Sequence, residues 1–257
     1  MISNYTQLKN RKLESIYLCC YVVSQEVEFK NGNNIERKEI TILYGSTLTG
    51  RRDILGIYLE RLDDNKFWID TFEQIKSRNV NKIFFMVTKS NKNLERGMKI
   101  VYNDTIIINS AYEIITKISN YLPYSKKYRF DLAFKKLFLE ESLDNYEIEI
   151  QLFKENFNEN KMILFLFERN EKIIREFYKY SQNTRKLFLA YYAIRDLKYN
   201  IVNTTKKIEA LDSLETFVNN FVGTINSFET GKSHIKAEWN NIINELLLMN
   251  NGVEKYL

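Results

Sequence analysis

Apolar positions run almost unbroken from Ser15 to Val23 (SIYLCCYVV), β-branched and aromatic, which is the pattern of a buried strand. Polar residues around Asn31, Gly32 and Asn33 end it. Two more strand-like runs, Glu36 to Gly45 and Arg51 to Glu60, are joined by a short STLTG connection in which Gly50 can supply a positive φ. From Asn65 to Arg78, Phe67, Trp68, Thr71, Phe72 and Ile75 fall at helical spacing behind the capping candidates Asp63, Asp64 and Asn65. A strand at Asn81 to Thr88, a helix at Asn91 to Tyr102, a strand at Thr105 to Asn109 and a helix at Ala111 to Tyr121 follow. The predicted order is βββαβαβα, a mixed five-stranded sheet with covering helices. Beyond Pro123 the period changes. Leu132 to Phe157, Met162 to Tyr180, Thr184 to Val202, Leu211 to Ser227 and Ile235 to Met249 carry three-four apolar spacing, so a helical second part is predicted. No internal repeat of fixed period is present.

Composition narrows the class. With 44% hydrophobic and 28% charged residues in 257, the chain can bury a sizeable core, which excludes disordered, collagenous and coiled-coil classes. One proline and 8 glycines leave no flexible linker, so one large domain or two closely fused ones are expected. The net charge of +5 permits a polyanionic partner without demanding one. No window approaches the roughly 20 apolar residues of a membrane span, and the first residues lack a signal-peptide core. A cytoplasmic protein without a membrane partner is expected.

Several chemistries fall away. Cys19 and Cys20 are neighbours whose strand side chains point to opposite faces, so no disulfide framework is expected. Two cysteines and a distant His234 cannot build a structural zinc site, and no Ser or Cys nucleophile has a credible base. Gly231, Lys232 and Ser233 imitate the end of a phosphate-binding loop, but Asn226 stands where its first glycine belongs. A plain interhelical turn is expected there. His234 is read as a solvent-facing or capping residue, and Phe67, Trp68, Phe72, Phe84, Phe85 and Trp239 as packing residues.

Three stretches carry a family signature. Gly50 to Asp104, with its glycine-arginine strand, FW helix and KSR turn, resembles the catalytic core of Mutator-type DDE transposases of bacterial insertion sequences. TRKLFLAYYAIRDLKYNI (Thr184 to Ile201) resembles that family's helix IRKxIYTTNAIESLNRxI, and KAEWNNIINEL (Lys236 to Leu246) its NWxxILNQL tail. The blocks occur in family order. The resemblance implies an RNase H-like fold, in which two aspartates and a glutamate hold two divalent ions, Mg²⁺ or Mn²⁺, for in-line attack on a phosphodiester.

Carried over residue by residue, those acids are missing. The first aspartate position falls on Leu18, or on Cys19 if one residue is absent. The second, from the pattern VSDGxKGL, falls on Lys89, and the glutamate of NAIESLN falls on Arg195. None of these residues ligates magnesium, and two are cations that repel it. Asp196, one residue along, is rotated about 100° from the glutamate position. The resemblance therefore implies a transposase relative that binds no catalytic metal or other cofactor. The family's Cys, His and Arg-Asn motif is also absent from IIINSAYEIITKIS, and a family DNA-binding region before the first strand is expected to be missing.

The corresponding organisation is a tail at 1–14, the first part of the core at 15–121, a helical insertion at 122–183, and helices at 184–257 that complete the core. Arg51, Arg52, Lys89, Lys92, Arg185, Lys186, Arg195 and Lys198 come from segments that would converge in such a fold, and are candidates for phosphate contacts. Ordinary solvated surface charge is the competing reading. The expected partners are double-stranded DNA and either a second copy or an intact transposase subunit. The alternative function is a captured, non-enzymatic DNA- or protein-binding module.

Overall fold

The computed structural model describes residues 4–31, 34–59, 64–208, 211–231 and 239–249. Its elements run α1 (Asn4–Asn10), β1 (Ile16–Asn31), β2 (Asn34–Ser46), β3 (Arg52–Leu59), α2 (Asn65–Ser77), β4 (Lys82–Thr88), α3 (Lys92–Val101), β5 (Ile106–Asn109) and α4 (Ala111–Ser119). Then follow α5 (Tyr124–Leu139), α6 (Leu143–Asn156), α7 (Lys161–Glu176), a 3₁₀ turn (Phe177–Lys179), α8 (Gln182–Leu189), α9 (Tyr191–Lys207), α10 (Leu214–Thr230) and α11 (Trp239–Leu248). The chain forms two compact units, one from Met1–Ile108 with Tyr192–His234, the other from Asn109–Tyr191 with Ile235–Lys255. The second unit takes in α4 to α8 and α11.

In the first unit five strands make a mixed sheet in the order β3-β2-β1-β4-β5. β1, β2 and β3 are an antiparallel meander, while β4 runs parallel to β1. The predicted βββαβαβα order is present, preceded by α1. β1 extends well past Val23, because SQEVEFK alternates and buries Val27 and Phe29 while Glu26 and Glu28 face water. Alternation also divides the sheet's two faces. On one, Cys20, Leu43, Leu55 and Met86 join Trp68, Phe72 and Ile75 of α2 and Leu94 and Met98 of α3. On the other, Tyr21 stacks on Tyr44 at 4.4 Å, and Tyr44 meets Phe228 of α10 edge-on at 5.1 Å. Cys19 and Cys20 are both free and buried.

Residues within 4–14 pack into the first unit. Leu8 and Leu13 are buried, and the Arg78 guanidinium, itself buried, donates to the carbonyls of Leu8, Arg11 and Leu55. Asp64 caps α2, accepting from Lys66 N at 2.9 Å. Gly97 lets α3 close on α2, since a Cβ there would stand 2.8 Å from the Cβ of Trp68.

Among the described residues the second unit is built from helices α4 to α8 and α11. α5 presents Phe130, Phe134 and Phe138 at four-residue intervals to a phenylalanine core completed by Phe153, Phe157 and Phe167, with centroids of 4.6–5.8 Å. Two predicted helices are each divided in two. Leu132 to Phe157 breaks where Glu140 turns extended and Ser142 caps α6 by accepting from Asn145 N at 3.1 Å. α5 itself begins directly behind Pro123, whose fixed φ suits a helix start. Thr184 to Val202 breaks at Ala190, which is left-handed with φ 33°.

That conformation costs a non-glycine residue about 1–2 kcal/mol. Glycine would remove the cost while losing about 0.5–1 kcal/mol to unfolded-chain entropy. Ala190→Gly is therefore expected to stabilise the second unit by about 0.5–1 kcal/mol, read as a rise in the thermal midpoint. A fall would contradict the assigned backbone.

Candidate functional site

The turn between β2 and β3 aims the arginine pair. Thr47 N donates to Arg51 O at 2.8 Å, Gly50 N returns to Thr47 O at 3.0 Å, and Gly50 takes φ 81°. Strand alternation then sends Arg51 and Arg52 to opposite faces. Arg51 is half-exposed and pairs with Glu14 and with Asp53, whose carboxylate also accepts from Tyr17 Oη at 2.8 Å. Arg52 is only 5% exposed, with its guanidinium over the Phe228 ring at 4.2 Å. Burial pushes the Arg52 guanidinium below its usual range, opposed by Tyr44 and Asp196. It lines a cleft of about 490 Å³ with Asp196, Asn200, Thr224 and Ser227.

A second cleft, of about 930 Å³, holds Arg11, Glu14, Arg51, Asp53 and Glu229. Arg11 and Glu229 form a two-pronged ion pair that also closes the outer edge of β3. Glu229 Oε1 accepts from Ile54 N at 2.7 Å, and Arg11 Nη2 donates to Ile54 O at 2.6 Å. The pair substitutes for a sixth strand at that point of the edge. Burial lowers the Arg11 pKa, but the Glu229 hydrogen bond and charge outweigh it and leave it raised. The carboxylates in this cleft are each held by guanidinium or backbone donors. Among the described residues no three of His, Cys, Asp and Glu are grouped so as to hold a metal ion.

The residues on which the resemblance puts the family's acids differ in chemistry and exposure. Leu18 and Cys19 are fully buried in β1, and burial raises the Cys19 thiol pKa. Lys89 is exposed, two residues beyond Val87, which is level with Tyr21 on the parallel neighbour. Lys89 therefore lies four or five residues further along the strand direction than Cys19 or Leu18, about 13–16 Å at the parallel-strand rise. Arg195 is exposed on α9, bonded to Asp196 Oδ1 at 3.1 Å and set over Tyr192.

Of the eight cationic candidates, two are buried. Arg52 is enclosed as described, and Arg185, 1% exposed, donates to Glu140 O and stacks on Tyr178 at 3.9 Å. Neither offers its charge to a phosphate backbone in this conformation, because both are packed against aromatic rings. Arg51, Lys89, Lys92 and Arg195 are exposed, and Lys186 and Lys198 half-buried. Arg185 and Lys186 belong to the second unit and the other six to the first. His234, Lys232, Ser233, Asp63 and Lys236 lie outside the described residues. Among the described residues no helix is long and apolar enough to cross a membrane.

Over residues 1–223 the chain matches the family described as Transposase, Mutator family. The chain belongs to that family. It is 20% identical over 207 residues to the transposase for insertion sequence element ISRM3 of Rhizobium meliloti, a match covering 80% of this chain and 48% of that protein. A probable transposase for an ISRM3-like element of Sinorhizobium fredii is 21% identical over the same shares of the two chains. A probable insertion-element transposase of Corynebacterium diphtheriae is 16% identical over 57% of this chain and 43% of its own. The chain thus spans about half the length of these Mutator-family relatives.

Proposed function

We propose that this mobile-element chain is a transposase relative with an RNase H-like core that does not carry out two-metal strand transfer. What supports the reading is the resemblance, which places the family's acidic positions on Lys89, Arg195 and Leu18, or Cys19 in the alternative register. Two divalent ions about 3.5–4 Å apart need facing carboxylates to offset their mutual repulsion. A lysine and an arginine at those positions add to the repulsion. The residues at these positions do not fit the family's Mg²⁺ or Mn²⁺ pair. The antiparallel meander with β4 parallel to β1 supports the RNase H-like reading.

The second reading is a non-enzymatic binding module for duplex DNA, with self-pairing or pairing with intact transposase as its assembly. Lys89 and Lys92 favour it: both are exposed around the amino end of α3, where the helix dipole adds to their attraction for a phosphate. Titration of the chain with Mn²⁺ in a calorimeter tests the leading reading. No saturable heat is expected in the micromolar to millimolar range. Stoichiometric binding lost on mutation of a carboxylate would overturn it.

A further inference from the structure

In the second unit α5 has two working faces. One buries Phe130, Phe134, Leu137 and Phe138. The other lines up Tyr124, Tyr128 and Leu132 at four-residue spacing, 91%, 74% and 48% exposed, with Tyr121 at 59% one turn earlier. Exposed tyrosines in such a row contribute nothing to the helix's own packing. The helix carries five cations against one carboxylate, and its first six residues hold Lys126, Lys127 and Arg129 with no acid among them. Lys127 Nζ reaches Asn120 Oδ1 at 3.4 Å and Arg129 Nη2 reaches Asn156 Oδ1 at 2.7 Å. Both partners are neutral amides, so neither cation is neutralised by these contacts. The lone acid, Asp131, accepts from Tyr191 Oη at 2.5 Å. At the far end Lys136 is paired with Glu149, so the positive field is concentrated on the tyrosine end.

We infer that this face of α5 binds a single-stranded nucleic-acid segment, with bases stacked on Tyr124 and Tyr128 and phosphates held by Lys127 and Arg129, which flank the tyrosine row at three-residue spacing from Tyr124 and Leu132. Two features select this occupant. Charge complementarity asks for a polyanion, and two accessible rings ask for flat unpaired bases rather than aliphatic chains. Residues four apart on a helix are displaced by about 6 Å along its axis. Phosphates of one duplex strand repeat every ~3.4 Å along the duplex axis, so only a stretched strand places successive bases on both rings. The face belongs to the second unit and Leu18, Lys89 and Arg195 to the first, and the inference holds whether or not the chain cuts DNA.

The test is fluorescence anisotropy of the full chain with a labelled oligothymidine of about twenty nucleotides, the same length of duplex, and vesicles containing phosphatidylserine. The single strand is expected to bind more tightly than the duplex. The double variant Tyr124→Ala/Tyr128→Ala is expected to weaken that binding tenfold or more, since stacking is worth about 1–3 kcal/mol per base. Tyr124→Phe/Tyr128→Phe keeps the rings and is expected to bind within about threefold of the parent. Lys127→Gln/Arg129→Gln is expected to reduce the log-log salt slope by about 1.4, from ~0.7 per phosphate contact. Circular dichroism checks that each variant keeps its helix content. Absent oligonucleotide binding at low salt, an alanine pair that binds like the parent, duplex preferred over single strand, or tyrosine-dependent binding to vesicles alone would each overturn the inference.

Discussion

Restoring an acid at the first family position, Leu18→Asp, is expected to destabilise the first unit by about 3–5 kcal/mol at neutral pH, because it buries an uncompensated carboxylate. Leu18 has no exposed surface and lies in β1 between the Tyr17–Ile83 and Cys19–Phe85 pairs of the parallel ladder. Burial raises the folded-state pKa of the new carboxyl above the unfolded value of about 3.9. The sign follows from linkage. The variant approaches its parent most closely below about pH 4, and the deficit grows as pH rises through that value towards the raised folded pKa. Cys19→Asp meets the same barrier, since Cys19 is equally enclosed. Urea denaturation at pH 4 and pH 7 checks this: a loss under 1 kcal/mol at pH 7, or one that grows towards acid, would contradict the placement of β1.

Trp68→Ala is expected to remove about 3–5 kcal/mol from the same unit. The side chain is 1% exposed, stands edge-on to Phe67 at 5.3 Å and stacks on Phe72 at 5.7 Å. Its Cβ faces the hydrogen of Gly97, where α2 and α3 already touch at backbone distance. The helices are already in contact, so they cannot close further to fill the void. That limit puts the loss at the upper part of the range for aromatic truncations. Denaturant midpoints at unchanged slope would measure it. A loss below about 1.5 kcal/mol would mean that the sheet and helices repack around the gap.

How far the molecule could be read in its sequence varies by element. α2, β4 and α3 were legible because their apolar positions follow one period and their capping residues are local. The far half of β1 was not, although SQEVEFK alternates, because the uninterrupted run before it dominates the pattern. Pro123 reads as a stop signal but serves as the start of α5, and Ala190 breaks a continuous periodicity through a single backbone angle. The burial of Arg52 and Arg185 depends on Phe228 and Tyr178, aromatic partners supplied by tertiary packing. Arg11 and Glu229, 218 residues apart, leave no spacing signal at all. The family's acidic positions, by contrast, were legible only through the resemblance: nothing in period or charge singles out Leu18, Lys89 or Arg195.

The most direct measurement is nicking of supercoiled plasmid by the full chain in Mn²⁺, with magnesium and chelator as parallel arms. On the proposed reading, in which the acidic positions fall on Lys89, Arg195 and Leu18, no conversion to open circle above a protein-free control is expected at any metal concentration. Nicking that requires both the chain and the metal, and that disappears when a carboxylate such as Asp53 is replaced by asparagine, would contradict the account.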